Sequence, residues 1–391
     1  MPIPIMQSRY EGLQQAVAGL QSAGAPLVAS NGKTFFPAAT EDDAGSLYFV
    51  PKLTLLLHGD LNAAITIFYG GMIALALVCG LAGAILYCKS AAGRTFACVL
   101  ITLLSLLAYR IGDIYIASFA APLLVAPLFL YFLRREKFDA AFGAFLFAAG
   151  FAVNLSGWIR AQAGLPVLLF VLIMLGFGWR NLTKCKVIAV SCLFVGFLLP
   201  HLFFTQQIRQ RDAFFTQAQI STPNTPNQHL LWHSIYIGLG YLPNNFGIIY
   251  KDECAAAKVR SIDPTVVYCS QGYEAILRRE TLKFVRQHPG FVLKTLAIKF
   301  AATLKYFLLA ANFGLLALPR ARLPRPLLAA FAVALAVGSL PGLLVVPNAA
   351  YLLGFITFAA LFGIVSVANA TGKKDSMKND AVRSGNTDVR D

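Results

Sequence analysis

Apolar residues fall in nine runs along the chain, at 62–88, 96–112, 114–133, 139–156, 164–179, 187–204, 296–318, 327–346 and 349–369. Each is close to or above the length at which a helix crosses the hydrocarbon core of a bilayer, about 20 residues. The pattern predicts an all-α polytopic membrane protein. Two long stretches break it and cannot sit in lipid. Residues 1–60 are predicted as a loop region with short amphipathic helices, and residues 205–290 as a water-facing lobe between two groups of spans, 61–204 and 291–369. Residues 370–391 are polar, have no apolar period and read as a disordered tail. No tandem repeat with a period of about 20–50 residues is visible.

Within the polar stretches the period changes. Gln7 to Ser22 sets Tyr10, Leu13, Val17 and Leu20 on one helical stripe. A Gly/Ala/Pro-containing turn region follows, and Ser46 to His58 reads as a second short helix whose apolar face suits the membrane interface. In the lobe, Ser270 is a candidate N-cap for a helix from Gln271 to His288, with Tyr273, Ile276, Leu277 and Phe284 on its apolar side and Pro289-Gly290 at its end.

Composition agrees with the span count. Of the 391 residues, 57% are hydrophobic and 13% charged, with a mean hydropathy of +0.65. Soluble domains carry about 25% charged residues, so a pair of ordinary globular domains is excluded. The net charge of +15 invites a nucleic-acid partner, but the positions of the charges argue against one. Lys89 and Arg94, Arg134 to Lys137, Arg180 to Lys186, Arg320 to Arg325, and Lys373 to Lys378 occupy alternate links between apolar runs. Lys and Arg collect on the cytoplasmic side of membrane proteins. That rule places the basic links inside, and residues 1–60 and 205–290 outside. The first sixty residues lack a basic n-region and an apolar h-region. They are therefore translocated as a tail, or a first helix has been lost through a late start.

Five cysteines, Cys79, Cys88, Cys98, Cys185 and Cys192, fall in spans or cytoplasmic links. Cys254 and Cys269 belong to the outer lobe, where oxidising conditions permit a disulfide; two independent thiols are the alternative. A bridge there would stabilise the lobe by about 3 kcal/mol.

Three polar groups converge on the outer face. Glu41, Asp42 and Asp43 precede a glycine and a short helix, which suits a general base or a ligand for a divalent cation. The same acids also suit a solvated helix N-terminus. His229 and His233, spaced i,i+4, share a face if helical and could take a metal or phosphate, or serve only structure. Asp252 and Glu253 lie nearby, as acids of the site or as a helix start. The third group is cationic: Lys294, Lys299 and Lys305 on one span-like helix, with Arg110, Asp113 and Arg160 at outer span ends. Lys294 and Lys299 can snorkel, and Arg110 with Asp113 can form an ion pair or flank the same cavity. Lys305 is read as lying deep, where a lysine needs a polar cavity or a partner. Cations at headgroup depth and a carboxylate above them suit transfer of a sugar from a polyprenyl-phosphate carrier. The leaving phosphate then needs no separate acid.

The order of these features resembles a known family. Asp42-Asp43-Ala44-Gly45-Ser46-Leu47-Tyr48, a run of spans, W-H-S-I-Y-I-G-L-G from Trp232 and H-P-G-F-V-L-K-T-L-A-I-K from His288 are similar to bacterial multi-pass GT-C glycosyltransferases. That class depends on lipid-linked sugars and is related to protein mannosyltransferases and aminoarabinose transferases. The resemblance implies a GT-C fold in a bacterial inner membrane, an extracytoplasmic active face, and a catalytic Asp at 42 or 43. The reading of the residues then puts Lys294, Lys299, Lys305 and Arg110 on the lipid phosphate, with His229, His233, Asp252, Glu253 and Arg160 around the substrate. The class normally has a helix before its first outer loop, which this chain lacks. A non-catalytic component of polysaccharide assembly or export is the other reading. A secondary transporter fits less well, since no repeated halves are seen.

Overall fold

The computed structural model describes residues 3–38, 43–220 and 230–385, with side chains through Gly372. Glu41, Asp42 and His229 lie outside the described residues. Before the spans come α1 (Gln7–Ala23), a hairpin of β1 (Val28–Ser30) and β2 (Phe35–Pro37), and α2 (Ala44–Leu56). The hairpin pairs Ala29 with Phe36 antiparallel. Its turn is set by Asn31, whose side chain accepts from the Lys33 and Thr34 amides, and by Gly32 at φ 84°.

The first group of long helices is α3 (Leu61–Tyr87), α4 (Ala91–Ile111), α5 (Tyr115–Arg134), α6 (Ala140–Ile159), α7 (Leu165–Ile173) and α8 (Thr183–Gln217). The lobe holds α9 (Leu231–Gly238), α10 (Asp252–Ile262) and α11 (Gln271–Gln287). The last group is α12 (Pro289–Ala321), α13 (Arg325–Leu344) and α14 (Leu353–Gly385). Side-chain caps explain several starts. Asp60, Ser90, Asp139 and Ser270 each accept from the backbone N–H three residues on, satisfying an orphan donor of the first turn.

Eight of these helices are long and apolar enough to cross a membrane. Leu75, Val78, Leu103, Leu106, Leu198 and Leu316 stand exposed on their outer faces, as lipid-facing side chains do. The chain is an all-α polytopic membrane protein. The fifth expected span is shorter than the rest. Its nine α-helical residues are followed by five in π-helical geometry, Met174–Gly178, where Lys186 Nζ donates to the Gly176 carbonyl at 2.8 Å. Helices run past three of the expected boundaries. α8 continues to Gln217, into the stretch read as the lobe. Pro289 opens α12 as well as closing α11, since proline fits a first helical position. α14 runs to Gly385, into the polar stretch read as a tail.

Three pairs of helices run parallel and in contact, each with its connecting helix turned back between them. Gly80 meets Leu123, and Gly83 meets Pro127 and Leu128, aligning α3 with α5. Gly150 lies against the Leu193 carbonyl and Gly196 against that of Phe147, aligning α6 with α8. Gly314 meets Gly363, and Phe307 meets Phe355 and Phe362, aligning α12 with α14. Lipid tails are as apolar as leucine, so association rests on close packing, which glycine permits.

These alignments sort the links between two ends. At one end Arg134 stacks on Tyr87 at 3.6 Å and donates to Asn369, and Ser90 meets Thr371 at 2.6 Å. Asn181 donates to the Glu136 carbonyl and Gly178 lies beside Pro326, so the links that follow α3, α5, α7 and α12 gather there. At the other end α1, α2, the α4–α5 turn, the α6–α7 link and the lobe come together.

Candidate functional site

At the lobe end, three segments distant in sequence meet through one arginine. Arg9 Nη1 lies 2.6 Å from Asp43 Oδ2, and its Nε lies 2.8 Å from Asp113 Oδ1. Both acids are buried, Asp43 at 5% and Asp113 at 2% exposure. Asp43 sits where α2 begins, and Asp113 in the tight α4–α5 turn. That turn needs Gly112 at φ 68°, where a Cβ would overlap the Pro4 carbonyl, and holds Asp113 at φ 58°. The Asp113 amide donates to Pro4 O at 3.0 Å, while its carboxylate accepts from Ile114 N at 2.7 Å and Met6 N at 3.3 Å. Asp43, Arg9, Ser8, Gln15 and Phe36 line a pocket of about 300 Å³ between α1 and the hairpin.

A second feature lies just across α2. Gly45 abuts the end of α6 so closely that a Cβ would stand 2.8 Å from Ile159 Cγ1 and 3.2 Å from the Trp158 carbonyl. Arg160, the next residue, is 7% exposed. Its guanidinium lies over the rings of Tyr115 and Tyr351, at 4.8 and 5.2 Å, and such cation–π contacts hold a cation where water is scarce. Arg160 lines a cavity of about 230 Å³ with Gln162, Ser234 and Tyr351 as polar neighbours. Pro122, Leu165, Val337 and Phe358 make its apolar wall, and Leu231 and Ile235 of α9 complete it from the lobe. The lobe is seated by Tyr250 Oη donating to Tyr351 Oη at 3.3 Å and by Gly238 against the Leu344 carbonyl.

Inside the lobe His233 is buried. Its Nδ1 is 2.8 Å from Tyr273 Oη and its Nε2 3.1 Å from Asp252 Oδ1. Glu274 accepts from the Trp232 and His233 amides, both at 3.0 Å, and so caps α9 from α11. Burial pushes the Tyr273 hydroxyl up, so it stays protonated. The hydrogen bond with His233 holds the Asp252 carboxyl below its usual range, against the opposing effect of burial. The stability from this contact is therefore present above the unfolded carboxyl value, about pH 4. It is lost as pH falls through the lowered folded value. Because the Asp252 side chain is 68% exposed, the contribution is expected to stay under about 1 kcal/mol. Asp252→Asn should lower Tm slightly at pH 7, with the gap closing below pH ~4. A gap that widens in acid would contradict this account.

Several expected site residues are placed elsewhere. Lys305 is exposed on α12 and lines neither of the two cavities above. At 33 residues α12 is about 50 Å long, more than a bilayer core of about 30 Å. Part of it therefore extends beyond the hydrocarbon, and the stretch from Lys305 to Arg320 is about 22 Å. Lys294 is exposed on the same side. Lys299 is the buried lysine, 2% exposed, and it donates to Val345 O at 2.8 Å and Leu344 O at 3.4 Å instead of snorkelling. Arg110 is exposed, and the cation beside Asp113 is Arg9. Acids and lysines thus do not share one cavity: Asp43 and Arg160 open onto different ones, and the lysines line neither.

Glu253 is exposed in the first turn of α10, as a helix start predicts. Cys254 and Cys269 are thiols and not a disulfide. Cys254 Sγ points to the Gly247 carbonyl at 3.4 Å, and Cys269 occupies a turn at φ 61° before α11. Among the described residues no three His, Cys, Asp or Glu side chains are grouped to hold a metal ion. Sequence reasoning missed Arg9, Tyr115, Tyr250 and Tyr351. Arg9 and Glu11 are the charged residues of α1, but a contact from residue 9 to residue 113 leaves no local pattern. No protein-family model, curated protein or solved structure matches the chain.

Proposed function

We propose that the chain is a membrane glycosyltransferase of GT-C type, which moves a sugar from a polyprenyl-phosphate donor to an acceptor hydroxyl at the lobe end. With α7 counted as a short ninth crossing, the basic links face the cytoplasm of a bacterial inner membrane and the lobe end faces outward. The observation that carries the reading is the contact of Gly45 with Ile159. It brings a buried carboxylate, two residues before the glycine, and a buried guanidinium, one residue after the isoleucine, to either side of one contact. A buried cation in the wall of an apolar cavity has the make-up that a phosphate on an isoprenoid tail requires.

In this reading donor binding joins the two cavities across the Gly45 contact, and the acceptor oxygen attacks the anomeric carbon and gives its proton to Asp43. The bond from that carbon to the phosphate oxygen breaks, and the electron pair leaves on the phosphate, held by Arg160. The phosphate contacts expected of the three lysines pass to Arg160. Purified protein supplied with labelled polyprenyl-phosphate sugar and an envelope extract as acceptor source should release polyprenyl phosphate. Asp43→Asn should slow release by about 100-fold or more, as loss of a general base does. Arg160→Gln should weaken donor binding by about tenfold or more, with the loss of a charge-assisted contact. No release above a protein-free control would end the proposal.

The Arg9 contact favours a second reading, in which Asp43 serves structure and the chain is a non-catalytic component of polysaccharide assembly or export. Asp43→Asn would then lower Tm while parent and variant stayed equally inert.

A further inference from the structure

We infer that Arg9 is a positioning residue, which presents the Asp43 carboxylate, and that Asp113 anchors it from the far side. The inference rests on the reading of Asp43 as the base. Asp113 is fixed before Arg9 is considered. Its carboxylate is bound by two backbone amides, its own amide is bound to Pro4, and its backbone is held in the left-handed region. Strain of that kind persists only where surrounding contacts impose it. Residues 4–6 are bonded to the same turn, so the start of α1 and the α4–α5 turn form one rigid piece.

Arg9 projects from that piece toward Asp43, at 2.6 Å through Nη1 while Nε faces Asp113 at 2.8 Å. A guanidinium is planar, and its donors leave in fixed directions. The charge of Asp113 holds the guanidinium close on the Nε side, and the hydrogen bond that Nη1 donates sets the position of the Asp43 oxygen. Asp43 also lines the 300 Å³ pocket with Ser8, Gln15 and Phe36. The guanidinium thus holds one edge of the carboxylate while the group as a whole borders open space. A lysine ammonium is a point charge and cannot fix two carboxylates at a set angle. Arg9→Lys should keep the charge and lose the direction.

The test uses Arg9→Lys and Arg9→Gln in the full-length protein, with elution and Tm checked first. Arg9→Lys should lower kcat at least tenfold with donor KM within twofold of the parent. A merely structural role would lower Tm and leave the kcat of the folded fraction unchanged, which would overturn the inference. The second readout does not need turnover. Dicyclohexylcarbodiimide attacks carboxyl groups in their protonated form, so mass spectrometry at neutral pH should find Asp43 labelled in Arg9→Gln and unlabelled in the parent and Arg9→Lys. Equal labelling in all three would also overturn it. If the parent releases no lipid phosphate, the transferase reading fails by itself, and the labelling pattern alone decides whether Arg9 governs Asp43.

Discussion

Gly150→Leu is expected to leave little folded protein, with aggregation replacing the monodisperse peak on size exclusion in detergent. A Cβ at this position would fall onto the Leu193 carbonyl oxygen and within 2.9 Å of the Phe197 amide. Both obstacles are backbone, so no side chain can swing aside. The mirror contact at Gly196 meets the Phe147 carbonyl in the same way. Relief requires α6 and α8 to move apart, which also breaks the hydrogen bond from Asn154 Nδ2 to the Phe197 carbonyl. Overpacking a core costs about 1–3 kcal/mol, and a backbone clash on both helices sits at or above the top of that range. Against a typical stability of about 5–15 kcal/mol this is a large fraction. Gly150→Ala should lower Tm clearly. Gly157→Leu, on the same helix where a Cβ meets nothing within 4 Å, should not. Gly150→Leu that elutes and melts like the parent would refute the packing described for α6 and α8.

Lys299→Ala should produce the second large loss. The Leu344 and Val345 carbonyls close α13 and lack helical partners, as the last carbonyls of any helix do. Lys299 supplies donors to both and a positive charge at the negative end of the helix. Leaving buried acceptors unbonded costs about 1–3 kcal/mol. Removing the long stem adds a cavity cost, about 2–5 kcal/mol for comparable truncations. Lys299→Met keeps most of the stem and should fall between the alanine variant and the parent. The same segment meets Gly238 of the lobe and lines the Arg160 cavity. Limited trypsin digestion should therefore cut the lobe of Lys299→Ala faster. If both variants match the parent in Tm and digestion, the contact carries no stability.

Much of the architecture is legible in the residue pattern, because bilayer thickness and charge asymmetry leave long signals. The spans, the lobe helix from Gln271 and its Ser270 cap can all be read locally. The hairpin is missed although Asn31-Gly32 between Val28-Ala29-Ser30 and Phe35-Phe36 is a turn signal of known type. The short α7 is overestimated because an apolar run does not reveal where the helix widens at Met174. Of the candidate site, Asp43 and Arg160 are marked by residue type. Their partners are not, since Arg9 with Asp113, and Arg160 with Tyr351, are long-range meetings set by helix packing. The lysines mislead for a related reason: periodicity puts Lys294 and Lys305 on one face of α12, but it cannot say which face the bundle covers.

The parallel helix pairs bear on how the chain is made. In each of the three units, the first helix leaves the ribosome well before the partner it finally touches, because a whole returning helix is synthesised between them. Until α5, α8 or α14 emerges, the glycine-lined stripe of its earlier mate faces lipid or the insertion machinery. A nascent chain halted after α4, α7 or α13 would thus display a closely packing surface with nothing seated against it, and that is where quality control would find a grip.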